Sequence, residues 1–120
     1  MFNATPPSDL EKYIDVAQGV ARLGGNFPVY KRILAKGVDL PAYTSLKEAL
    51  AQGDMKNAEL HAHTIKGVAG NLSLAALFEL TTEYDALLKT GVNSPELEAR
   101  LDEIFPKTND YIKWVLENIQ

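Results

Sequence analysis

Apolar residues return every three or four positions along most of the chain, and no stretch shows the strict alternation of a half-buried strand. Helices are therefore predicted throughout. Ser8 can cap a first helix that runs through Leu10, Tyr13, Ile14 and Ala17 towards Leu23, with Gly24-Gly25 ending it. Asn26 caps a second, with Pro28 in its first turn, where a missing N–H does no harm. That helix carries Tyr30, Ile33 and Leu34 and stops near Gly37. A third begins near Pro41, places Leu40, Tyr43, Leu46 and Leu50 at helical spacing, and ends at Gly53. Asp54 caps a fourth that reaches about Asn71. Ser73 is the expected cap of a fifth, whose Leu77, Leu80, Tyr84, Leu87 and Leu88 face inward until Gly91. Ser94-Pro95-Glu96 opens the last, which bears Leu97, Leu101, Ile104, Tyr111, Ile112, Val115 and Ile119. Pro106 falls inside it and predicts a kink or a division into two helices, since an interior proline costs roughly 3 kcal/mol.

Amphipathic helices joined by short turns imply an all-α fold, an antiparallel up-down four-helix bundle. Its members are expected at about 41–52, alone or merged with the helix before it, then 54–71, 74–90 and 95–118. Additional N-terminal helices would pack over one end. Residues 1–7 read as a disordered lead and 8–120 as a single domain, because 120 residues with 46% hydrophobic content suffice for one core and not for two. A net charge of −4 with scattered Lys and Arg argues against a nucleic-acid partner. The absence of cysteine excludes disulfides and thiolate metal sites. The longest apolar-looking stretch, 72–80, is too short for a bilayer and the N-terminus has no signal-peptide pattern, so no membrane association and a cytoplasmic location are expected.

The fourth helix holds the candidate chemistry. At about 100° per residue, Glu59, His63, Lys66, Gly67 and Gly70 share a quarter to a third of its circumference, beside an apolar stripe of Ala58, Ala62, Ile65, Ala69 and Leu72. The imidazole of His63 is thus expected beside the core and uncovered. Each interior glycine costs about 0.5–1 kcal/mol relative to alanine, and a partner surface approaching the ring is one reason to keep such a gap. Lys66 can neutralise a phosphoryl group on the ring, and Glu59 can accept from the other ring nitrogen. Lys56 and Glu59 lie on the side of His63, where a mutual salt bridge is the plain alternative to a role in binding a partner. His61 points about 200° away and reads as structural or exposed. A His61/His63 metal site has the wrong spacing, and Gly67-Val68-Ala69-Gly70 lacks the rest of a phosphate loop. These features suggest phosphoryl acceptance on histidine.

The stretch Ala62-His63-Thr64-Ile65-Lys66-Gly67-Val68-Ala69-Gly70-Asn71-Leu72 resembles the signature of histidine-containing phosphotransfer (HPt) domains, built on His-x-x-Lys-Gly. Gly19-Val20-Ala21-Arg22-Leu23-Gly24-Gly25-Asn26 with Tyr30 and Leu34 resembles the family's entry segment. Leu46, Ala49-Leu50 and Gly53-Asp54 resemble its approach to the histidine helix. The resemblance covers about residues 15–91. It departs at Leu72-Ser73-Leu74, where the family commonly has Leu-Gly-Ala, so the resemblance carries the chemistry and not the geometry of the turn after the histidine helix.

The resemblance implies a phosphorelay carrier without autokinase activity. His63 would accept a phosphoryl group from a receiver-domain aspartate of a response regulator or hybrid sensor kinase and pass it to another receiver. Lys66 would offset its charge, Gly67 and Gly70 would admit the receiver, and Asn71 would touch it. No cofactor is expected on this chain, since Mg²⁺ would sit on the receiver. A monomer is expected. Three other readings fit the same residues: the phosphoacceptor module of a chemotaxis-type kinase, a helical adaptor that binds receivers without phosphotransfer, and a metal-binding bundle.

Overall fold

Seven helices account for most of the described residues, 2–37 and 40–119, of the computed structural model: α1 (Leu10–Tyr13), α2 (Val16–Arg22), α3 (Phe27–Lys36), α4 (Pro41–Ala51), α5 (Met55–Leu72), α6 (Ala75–Leu88) and α7 (Pro95–Asn118). The last four make the bundle. α5 lies between α4 and α6, α6 packs on α7, and α1, α2 and α3 cover the bundle through contacts with α5, α6 and α7. The all-α bundle that the periodicity predicts is the architecture found.

Local chemistry explains most boundaries. The side chains of Asn26, Asp54 and Ser94 accept from the backbone N–H three residues on, at 3.1 Å in each case, and so satisfy donors that a helix start leaves free. Most of the predicted inward positions are buried, including Leu34, Leu46, Ile65, Leu80, Leu101 and Ile112, whereas Leu40, Tyr43, Leu50 and Leu87 are half-buried and Ala17 and Ile33 are exposed. Between α4 and α7 the core is closed by a polar clasp. Lys47 Nζ donates to Glu98 at 2.5 Å and Asp102 at 2.7 Å, and the Tyr43 hydroxyl donates to Asp102 at 2.5 Å. Desolvation, reinforced by the Asp102 carboxylate, pushes the Tyr43 hydroxyl up to about 12.

Four boundaries differ from expectation. The first predicted helix is broken into α1 and α2 because Ile14 turns extended to bury its side chain, and Asp15 takes over as a new cap, accepting from Gln18 N at 3.0 Å. Ser8 is not a cap; Asp9 precedes α1 and binds the Tyr111 hydroxyl and Lys107 instead. Pro106 neither splits nor ends α7, which runs through it as one helix with Leu101, Phe105, Thr108 and Ile112 buried on either side. The N-terminal lead makes contacts of its own. Asn3 N donates to Asn118 O at 2.6 Å, and the Phe2 ring meets Trp114 edge-on at 5.1 Å, so this part of 1–7 is held against the end of α7; Met1 lies outside the described residues.

Ser73 is the fourth difference. It does not start α6; it ends α5, in the left-handed region at φ 57° and ψ 43°. That conformation costs a non-glycine residue on the order of 1 kcal/mol. The buried serine offsets it by donating from Oγ to Gln18 Oε1 at 2.9 Å, while its carbonyl accepts from Asp15 N at 2.9 Å. Ser73→Ala keeps the backbone strain and loses the side-chain bond, so it is expected to lower stability by about 1 kcal/mol, measured by urea denaturation. An unchanged midpoint would show that the Gln18 contact contributes nothing.

Candidate functional site

The apolar stripe of α5 determines where its other face points. Ala58, Ala62, Ile65, Ala69 and Leu72 are all buried, which turns Glu59, His63, Lys66, Gly67 and Gly70 to the flank beside α6. His63 keeps 62% of its side chain exposed. Its Nδ1 lies 3.3 Å from Oδ2 of Asp85, a residue of α6 that is 1% exposed. A carboxylate only accepts, so this pairing requires the hydrogen on Nδ1 and leaves the lone pair on Nε2. The nucleophilic nitrogen is then the one away from Asp85.

Asp85 takes the place that spacing along α5 assigned to Glu59. The two lie near each other, but the hydrogen-bonding distance to the ring is from Asp85, and Glu59 Oε1 faces Lys89 Nζ at 3.9 Å. The Lys56–Glu59 pair is not among the ion pairs of the described residues; Lys56 is exposed and borders a separate depression with Met55 and Leu60. Lys66 Nζ stands 3.8 Å from the same Asp85 oxygen, and Lys89 Nζ stands 3.6 Å from it. The other oxygen, Oδ1, is buried and has no hydrogen-bond partner among the described residues. His61 is half-buried and takes no part in this cluster.

Gly67 and Gly70 shape the ground next to the ring in different ways. A Cβ on Gly67 would meet nothing within 4 Å, so no packing inside the chain requires a glycine there. A Cβ on Gly70 would lie 3.0 Å from Cε1 of Phe78, whose ring rests over that glycine while remaining 41% exposed. Together with His63, Lys66, Asn71 and Arg22 they border an open groove of about 550 Å³ between α5, α6 and the end of α2. Of the residues singled out in the sequence, His63, Lys66, Gly67, Gly70 and Asn71 meet here, and Lys56 and Glu59 stand to one side.

One atom each of Glu59, His63 and Asp85 lies within 4.8 Å of the others, a spacing that ligands of a metal ion can have. Two ammonium groups already hold the cation's electrostatic place beside Asp85. Asp85, Lys89 and Phe78 are the site residues that the spacing along α5 did not reveal. A signal for Asp85 was present: it falls between Thr81 and Leu88 at helical spacing, an acid within the inward row of α6.

Comparison with curated proteins and with solved structures returns no match. A family model does match, over residues 42–117. The matched stretch includes the bundle, α4 to α7, and leaves out the entry segment at 19–34. It spans more than half of the chain and contains the histidine helix and its acid-bearing neighbour, and on that extent the protein belongs to the Hpt domain family, the phosphocarriers of histidine phosphotransfer in two-component signalling.

Proposed function

We propose that His63 is the phosphoryl acceptor, taking the group from an aspartyl phosphate on a receiver domain and returning it to the aspartate of another. The observation that carries this reading is the exposed ring whose Nδ1 faces a buried carboxylate. Nε2 attacks phosphorus, the P–O bond to the receiver's aspartate breaks, and its electron pair remains on that carboxylate. The proton on Nδ1 stays in place, and the positive charge the ring acquires falls on the side of Asp85. Transfer onward reverses these steps. Mg²⁺ and both aspartates belong to the receivers.

Lys66 sits one turn from the ring and can reach the phosphoryl oxygens. Gly67 leaves the approach clear, and the groove beyond it offers Phe78 and Asn71 to the docked receiver.

Intact-protein mass after incubation with phosphoramidate, a small phosphoryl donor, tests the acceptor. One acid-labile phosphoryl group is expected on wild type and on His61→Gln, and none on His63→Gln. An adduct that survives His63→Gln, or its absence from wild type, overturns the assignment.

A further inference from the structure

The charges around His63 contain one more group than a single-lysine site requires. Lys89, at the end of α6, has its ammonium 3.6 Å from Asp85 Oδ2 and 3.9 Å from Glu59 Oε1. Lys66 approaches the same Asp85 oxygen at 3.8 Å. All three separations exceed hydrogen-bond length, so both lysines are electrostatically held without being locked. Lys89 is also 55% exposed, and its four-carbon stem lets the ammonium swing.

With a neutral ring the two carboxylates and two ammonium groups sum to zero. A phosphoryl group on Nε2 brings about two negative charges into a cluster that already holds Glu59 and Asp85. The ring gains one positive charge in the same step, so with Lys66 alone the cluster would carry about two net negative charges, and Lys89 reduces this to about one. Resting on the reading of His63 as acceptor, we propose that Lys89 is a second phosphoryl-binding residue: it rests on Asp85 and Glu59 in the free protein and moves onto the phosphoryl oxygens as the group arrives. Asp85, relieved of one ammonium, then faces the charged ring through Nδ1. The step itself is balanced without further reactants. The phosphoramidate zwitterion loses its P–N bond, ammonia departs with the electron pair, and Nε2 forms the new bond to phosphorus.

The test is the initial rate of phosphoramidate labelling by intact mass, on protein shown by thermal melting to be folded. Lys89→Met is expected to slow labelling about tenfold, the scale of one partly screened charge contact. Lys89→Arg should restore most of the rate, and Lys113→Met, which removes an exposed lysine of α7, should leave it unchanged. Lys89→Met is also expected to slow labelling in an Asp85→Asn background. Wild-type rates in Lys89→Met, equal slowing by the arginine variant, or no further slowing in the Asp85→Asn background overturns the proposal, the last by showing that Lys89 acts only through Asp85. Failure of wild type to label on His63 overturns the acceptor assignment instead, and this proposal with it.

Discussion

Gly67→Gln is expected to make the protein more stable and the relay much slower. A helix-interior glycine is worse than an ordinary helix former by about 0.5–1 kcal/mol. A Cβ at Gly67 would meet nothing within 4 Å and the position borders an open groove, so a side chain there can extend outward and the thermal midpoint should rise. The same side chain would stand one turn from His63 on the face proposed to receive the receiver domain. In-line transfer tolerates little displacement, and a shift near 1 Å can cost about a hundredfold, so the receiver-to-His63 transfer rate should fall by about that factor. Labelling by phosphoramidate, which needs no docked surface, should persist. Stopped-time transfer assays beside a thermal melt separate these effects. A variant that is stabilised and transfers at the wild-type rate would refute the role given to Gly67.

The same class of change has the opposite sign at Gly19. A Cβ there would lie 2.2 Å from Cε1 and 2.7 Å from Cζ of Tyr30. That ring cannot step aside, since it is fully buried and its hydroxyl donates to Leu72 O at 3.0 Å, at the end of the histidine helix. Overpacking of this kind costs on the order of 3 kcal/mol, less the helix-propensity gain of about 1 kcal/mol. Gly19→Ala is therefore expected to destabilise by about 2 kcal/mol in urea titration, and Gly19→Ala/Tyr30→Leu to recover part of the Gly19→Ala loss relative to Tyr30→Leu alone. A midpoint at or above wild type would show that α2 shifts freely over Tyr30. Both glycines sit in helices, and only the surroundings of each decide the outcome.

Sequence period and cap chemistry are local properties, and the features that depend on them could be read directly. The caps at Asn26, Asp54 and Ser94, the buried stripe of α5 and the exposed flank with His63 all follow from residues within a turn or two. What escaped depends on neighbours distant along the chain. Ile14 leaves the helical path to enter a core built by other helices, and Ser73 adopts its left-handed turn with help from Gln18. The partner of His63 is the clearest case. Spacing along α5 favoured Glu59, whereas the packing of α6 against α5 brings in Asp85. Charge on one helix cannot report which side chain a second helix will present.

The small residues of α5 bear on more than packing density. Ala58, Ala62 and Ala69 are fully buried where α5 lies between α4 and α6, and small interface residues let helix axes approach closely. An aspartate, with its single methylene, is enough here to span from α6 to the ring on α5. A larger residue in the alanine row would press on the helices packed against α5, and an outward shift of α6 would call for a longer acid at position 85. The size of core side chains and the length of a buried polar one beside them are thus coupled choices, and drift in the first constrains drift in the second.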